Sequence, residues 1–307
     1  MENRITGTWC TLLLPLNTDD SIDFGKLEVQ IDALIAFGVS GIYSNGTAAE
    51  FYSQSEVEFD QISELLAERC RANATPFQIG CNHVNPMLAL ERVKRAAALQ
   101  PDAIQVILPD WTVPSMDEIV DFLMAVQQAA NPIRLVLYNP PHAKRVLLPE
   151  EYGILRESGV RLAGCKVKGG DAAWYAAMRQ SDPELSLGVP GHTLASGILA
   201  GADGSYSNIA CLHPGAAQAW YHLMAVDMER ALELEKRIGL FMEQLIRPYI
   251  TRYQYSNQAV DKLMAAVGGW APITTRLRWP YRGVHEREVG AVRIEAERII
   301  PEFFPTN

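Results

Sequence analysis

Cysteine is scarce in this chain: five in 307 residues, at Cys10, Cys70, Cys81, Cys165 and Cys211. The number is odd, the spacing is wide and no C-x-x-C occurs, which argues against a disulfide framework and a structural zinc site. A reducing, cytoplasmic setting is expected. Long apolar runs are also missing. The first one ends at Leu16, before Asn17-Thr-Asp-Asp20, too short to span a membrane and without a small-residue cleavage site. Positive charge is in deficit, 27 Lys and Arg against 36 Asp and Glu, for a net charge of −9. There is no basic run either, so neither nucleic acid nor a membrane is expected as a partner. The six histidines are scattered, with no H-E-x-x-H, and no cluster has the mix of His and carboxylate that a catalytic metal needs. A G-x-S-x-G elbow is absent. So is a Gly-rich dinucleotide fingerprint, since the first apolar run leads into Leu14-Pro-Leu-Asn-Thr18.

What is present is a repeating alternation. Short apolar runs, read as strands, fall at Ile5–Leu14, Gly41–Ser44, Phe77–Cys81, Ala103–Leu108, Arg134–Tyr138, Leu162–Val167, Leu185–Val189 and Gly204–Ser207. Amphipathic stretches lie between them, at Phe24–Phe37, Ser55–Arg71, Pro86–Leu99, Met116–Ala130, Pro149–Glu157, Ala172–Gln180 and Leu194–Ala200. Several strands are continuously apolar, as parallel strands covered on both faces should be. Eight strand-helix units predict an α/β fold, a (β/α)8 TIM barrel over residues 1–214. Residues 215–307 lose the strand pattern. Gly215–Ile250, Ser256–Ala266 and Glu286–Ile300 read as helices, with Ala271–Tyr281 an extended loop between them. This is expected to be a C-terminal helical extension packed on the barrel.

In such barrels the working residues sit at the C-terminal ends of the strands. There the chain delivers Ser44–Glu50, Asn82 and His83, Pro109–Trp111, Tyr138–Pro141, Lys166 and Lys168, Gly188–His192, and Ser207-Asn208. The inventory is a lysine, a tyrosine, hydroxyls and Gly-rich turns. A lysine desolvated in a pocket loses affinity for its proton and becomes a nucleophile toward ketones. The alternative for Lys166 is a strand-edge amine that reaches water along its own stem. A tyrosine hydroxyl can shuttle protons, and backbone N–H groups in a turn can hold a carboxylate. Lys168, two residues on, would share the face of Lys166 if the strand continued. It would then depress the lysine's pKa, or bind a distal carboxylate.

Three stretches, in order and each at a strand end, are similar to motifs of the dihydrodipicolinate synthase / N-acetylneuraminate lyase family of class I aldolases. Gly46-Thr-Ala-Ala-Glu50 resembles G-x-x-G-E, Tyr138-Asn-Pro-Pro141 resembles Y-N-x-P, and Gly164-Cys-Lys166 resembles G-x-K. The resemblance covers essentially the whole chain. It implies that Lys166 forms an imine with a pyruvate-type 2-keto acid, with no cofactor and no metal, and that Tyr138 relays protons. It further implies that Thr47 and the Ala48 N–H hold the keto-acid carboxylate, and that Gly188 and Tyr206 line the keto-acid end. A homodimer or homotetramer is implied as well. His192, Asn208 and His83 could contact the hydroxylated part of a substrate.

The departures bear on substrate. Ala48 and Ala49 stand where the motif usually has a second hydroxyl and a glycine. Trp111 stands where the synthases place a relay tyrosine, and it cannot relay a proton through a hydroxyl. Ala143 replaces an arginine that binds a second carboxylate, with Lys144 and Arg145 just beyond. Pro190 and Gly191 replace the acidic pair of the sialic acid lyases. A lyase of 2-keto-3-deoxy sugar acids, by aldol cleavage or dehydration, is therefore favoured. The alternatives are a dihydrodipicolinate synthase, which condenses pyruvate with aspartate semialdehyde, and a keto-acid-binding protein without turnover on the same fold.

Overall fold

The computed structural model describes residues 4–206 and 208–305. Eight parallel strands close in sequence order into a barrel: β1 (Gly7–Thr11), β2 (Gly41–Ser44), β3 (Phe77–Gly80), β4 (Ala103–Val106), β5 (Arg134–Tyr138), β6 (Leu162–Lys166), β7 (Ser186–Pro190) and β8 (Gly204–Tyr206). The first strand is shorter than its apolar run, because Leu12–Leu14 pass over the barrel end toward α1 (Phe24–Ala36), where Gln30 clamps both the N–H and the C=O of Leu13. Ser207 lies outside the described residues. Helices follow the strands: α2 (Glu56–Ala72), α3 (Pro86–Ala98), α4 (Met116–Ala130), α5 (Pro149–Glu157), α6 (Ala172–Ser181) and α7 (Leu194–Ala200). Their starts are written locally. Ser55 and Glu58 form a reciprocal capping box at α2, and Pro149 opens α5 with Glu150 and Glu151 in its first turn.

The apolar core has two parts. The larger lies between the strand walls and the helices and continues into the C-terminal segment through Trp220, Leu234, Ile238, Phe241 and Leu263. The smaller fills the barrel interior with Ile5, Trp9, Tyr43, Ala103, Val136 and Tyr206. A buried polar chain crosses that interior: Gln105 and the Tyr206 hydroxyl both donate to Gln78 Oε1, at 2.8 and 3.0 Å. These inward groups alternate with outward apolar ones, as the pleat requires.

One irregularity decides the chemistry. Leu162 pairs with Leu135, but Gly164 pairs with Val136, so β6 carries an extra residue at that point. Ala163 packs on the interior cluster while Cys165 belongs to the outer core. The bulge thus reverses the alternation and turns Lys166, rather than Cys165, into the barrel mouth. Register then sets Tyr138, Lys166 and Gly188 level with one another on adjacent strands.

After β8 the chain is helical: α8 (Ile209–Leu212), α9 (Pro214–Val226), α10 (Met228–Phe241), α11 (Arg247–Thr251), α12 (Asn257–Gly268) and α13 (Glu288–Ile299). The expected single helix over Gly215–Ile250 is broken at Asp227, whose carboxylate caps α10 by accepting from Arg230 N. A π-helical turn, Met242–Ile246, joins α10 to α11. The loop after α12 is pinned under the barrel mouth. Arg278 reaches Glu58 at 2.7 Å and the Asp20 carbonyl at 2.8 Å.

Candidate active site

A cavity of about 350 Å³ opens at the C-terminal end of the strands. Its barrel side is formed by Tyr43, Thr47, Ala48, Tyr138, Lys166, Tyr206 and Asn208. Its other side is formed by the C-terminal helices through Met242, Ile246, Ile250, Val260, Asp261 and Met264. The π turn lies on this side, and the residues at its two ends, Met242 and Ile246, both line the cavity.

Lys166 ends β6 with its Nζ inside a cage of rings, 4.2 Å from the Tyr138 centroid, 4.5 Å from that of Tyr43 and 5.5 Å from that of Tyr206. The amine donates to Tyr43 Oη at 3.0 Å. Ring faces attract an ammonium weakly compared with the water they displace. Burial accordingly pulls the Lys166 pKa down to about 8, against a smaller opposing pull from Asp261. At neutral pH roughly a tenth of the lysine is free amine, which an ordinary surface lysine is not.

Tyr138 is buried, and its phenol is pushed above the usual tyrosine range by desolvation, so it keeps its proton at neutral pH. Its hydroxyl lies 3.4 Å from Thr47 Oγ1. In the turn after β2, Ala49, Glu50 and Phe51 donate their N–H groups to backbone carbonyls of the same turn. The N–H groups of Thr47 and Ala48 have no acceptor among the described residues, and both residues line the cavity. That is a small anion nest of the kind that accepts a carboxylate.

His192 and Asn208 also line the cavity, and they bind each other. Asn208 Nδ2 stands 2.6 Å from His192 Nδ1, and Asn208 Oδ1 accepts from the N–H of His192 and of Ile209. Burial lowers the His192 pKa, so the ring is neutral. With Nδ1 accepting from the amide, Nε2 carries the hydrogen.

Three placements differ from expectation. The strand ends at Lys166, so the two-residue alternation does not carry on to Lys168, which is exposed at the cavity rim, and the charges acting on Lys166 come from Asp261 and Cys211. Gly188 does not line the cavity. A Cβ there would come within 2.5 Å of the Tyr206 ring, so its missing side chain is the space that the ring occupies. His83 likewise stays outside, its Nδ1 accepting from Asn85 N. Trp111 is 83% exposed and held by Lys144, whose Nζ donates to its carbonyl at 2.7 Å, while Arg145 pairs with Glu151.

Among the cavity residues that escaped the reading of the sequence are Tyr43, His142 and Asp261. Tyr43 was legible as an inward position of β2. His142 directly follows the Tyr138–Pro141 motif. Asp261 sits on the α12 stripe Asn257, Val260, Asp261 and Met264, an i, i+3, i+4, i+7 face on which an acid is out of place. Glu50, conspicuous in its motif, is not in the cavity. It is fully buried and paired with Lys262 of α12 at 2.6 Å, and its other oxygen accepts from Arg278 N. Among the described residues, no group of three or more His, Cys, Asp or Glu side chains is arranged to hold a metal ion.

With this geometry in place, comparison with known proteins gives a consistent picture. A family model described as the dihydrodipicolinate synthetase family matches residues 4–295. The chain is 25% identical to the N-acetylneuraminate lyase of Salmonella typhimurium, over 98% of this chain and 99% of that protein. It is 26% identical to the lyase of Salmonella typhi over the same shares. Among solved structures it superposes on YagE, a prophage protein of E. coli K12 crystallised with pyruvate. The TM-score there is 0.83 at 20% identity, covering 96% of this chain and 98% of that one. The Ruminococcus gnavus sialic acid aldolase gives 0.82 at 18% identity, covering 97% and 98%.

Proposed function

The chain belongs to the dihydrodipicolinate synthetase family, and from that premise we propose that it is a class I lyase in which Lys166 forms an imine with a pyruvate-type 2-keto acid, such as a 2-keto-3-deoxy sugar acid. The observation that carries this reading is the Lys166 amine, held in a ring of three tyrosines inside the cavity with its pKa drawn down to about 8. The substrate carboxylate lies on Thr47 and on the N–H groups of Thr47 and Ala48, which fixes the ketone carbon beside Nζ. The imine, protonated, then draws electrons from the substrate's C3–C4 or C3–H bond, and Tyr138 carries the proton that the substrate hydroxyl gives up or takes. His192, Asn208 and Lys168 face the distal end.

In this proposal the imine is the only electron sink, so turnover needs neither metal nor cofactor. The protein works as a homodimer or homotetramer in the reducing cytoplasm. All five cysteines are free and buried, and no helix among the described residues is long and apolar enough to cross a membrane.

Incubation with pyruvate followed by borohydride reduction tests the reading. The expected result is one stable adduct per chain, mapped to Lys166 by peptide mass and lost in Lys166→Ala. An unmodified protein, or an adduct on another lysine, sinks it. Assay of sugar acids for pyruvate release against loss of water then separates aldol cleavage from dehydration.

A further inference from the structure

Tyr43 is buried on the inward face of β2, and its Oη accepts a hydrogen bond from Lys166 Nζ at 3.0 Å. Its oxygen has no part in the proton transfers assigned to Tyr138, yet much of the barrel interior is arranged to hold it in place. Tyr206 packs edge-on against the Tyr43 ring, with centroids 5.4 Å apart and planes at 80°. The Tyr206 hydroxyl is itself anchored, donating to Gln78 Oε1 at 3.0 Å, and Gln105 donates to the same oxygen at 2.8 Å. Gly46 leads into the turn that carries Thr47 and Ala48. A Cβ there would come within 2.9 Å of the Tyr43 ring, so the bare backbone at Gly46 lets ring and turn lie together. A phenol oxygen lies on the axis of its ring, so flips of that ring do not move it. Tyr43 therefore offers Lys166 a fixed acceptor, packed against the turn whose N–H groups form the anion nest.

We propose that Tyr43 is a positioning residue that accepts the iminium N–H of Lys166, fixes the plane of the imine, and so decides which face of the bound keto acid is open to reaction. This rests on the lyase reading above. Of the three hydrogens on the Lys166 ammonium, two leave with the ketone oxygen as water and one stays on the iminium nitrogen. That last N–H lies in the plane of the C=N bond, as does the bond from C2 to the carboxylate carbon. The nitrogen end of the plane is tied to Tyr43 Oη and the carbon end to the Thr47–Ala48 nest. Two ties at opposite ends of one double bond leave it a single orientation. The nest alone would let the keto acid pivot about its carboxylate while the lysine turned about its Cε–Nζ bond. A charged donor in a cavity makes the stronger kind of hydrogen bond, which suits it to holding a plane.

The three tyrosines around the amine are not equivalent. Tyr206 has its oxygen committed to Gln78 and shows Lys166 only its ring, 5.5 Å away. The Tyr138 oxygen lies beside Thr47 Oγ1 at 3.4 Å, where it serves the substrate's protons. Tyr43 is the one of the three whose oxygen meets the amine. The division leaves proton transfer with Tyr138 and gives Tyr43 the geometry.

Borohydride reduction of the pyruvate imine in the full-length protein tests this, because it makes C2 a stereocentre. Hydride adds to C2, the C=N π pair moves to nitrogen, and the product is N6-(1-carboxyethyl)lysine in one of two diastereomers. Acid hydrolysis and chromatography give their ratio. A plane held at both ends should give one diastereomer in excess by about ten to one or more in the wild type, the discrimination expected of one hydrogen bond to a charged group. Tyr43→Phe keeps the ring against Tyr206 and over the amine and removes only the oxygen. Its adduct should still map to Lys166, with the ratio falling toward about one to one. A wild-type ratio in Tyr43→Phe, even at lower yield, means that the ring serves packing alone; it overturns this inference and leaves the lyase reading intact. Equal diastereomers from the wild type overturn it too. A wild type that forms no adduct at all overturns the lyase reading, and this inference with it.

Discussion

A lysine that burial drives toward its neutral form, as the proposed reaction requires of Lys166, is a cost to the fold. The Lys166 pKa in the native state lies below its value of 10.5 in the unfolded chain. Folding therefore disfavours the ammonium. The penalty is fully present below pH 8 and fades as the pH climbs toward 10.5. Lys166→Met should be more stable than the wild type at pH 7, by about 1–2 kcal/mol once the water in the cavity is allowed for. Urea midpoints should show that advantage shrinking between pH 7 and pH 10. If the midpoints coincide at both pH values, the amine is not desolvated in the native state. At this scale much was visible beforehand. Lys166 and Tyr138 were legible because each closes a strand with a residue type that packing does not explain, and Thr47 because it stands in the turn just past a strand end. Asp261 was not, because a carboxylate on a helix far along the chain reads as a solvated face until the helix is placed.

Among elements, the contact that carries the most is the one between α12 and the turn after β2. Glu50 and Lys262 are both fully buried, and each has its remaining hydrogen-bonding capacity met by the loop that follows α12. Removing one partner leaves a buried charge uncompensated. Lys262→Met is expected to cost about 3–5 kcal/mol, whereas the double change Glu50→Gln with Lys262→Met should recover much of that loss. Chemical denaturation of the two singles and the double checks it, and additive losses would mean the pair is not coupled. The strand-helix alternation and the helix starts at Ser55 and Pro149 could be read locally, since caps and periodicity are properties of neighbouring residues. The bulge in β6 could not: an extra residue is defined only against the partner strand.

For the whole molecule, the C-terminal helices complete the cavity. Their core is continuous with that of the barrel, through Trp220, Phe241 and Leu263. They also provide one entire side of the cavity, apolar except for Asn257 and Asp261. A fragment of residues 1–214 should accordingly fail to fold cooperatively, because the apolar faces that these helices cover would meet water. A sharp thermal transition in that fragment, followed by circular dichroism, would show that the barrel stands alone.

By itself the order of residues determined the barrel and singled out the lysine that closes β6, because periodicity, apolar runs and an unexplained amine are local quantities. The tertiary structure decided which way that lysine faces, which tyrosines surround it and which acid stands opposite. Those follow from a one-residue slip between β5 and β6 and from a buried ion pair linking positions 212 residues apart. Contacts at that separation leave no periodic trace along the chain.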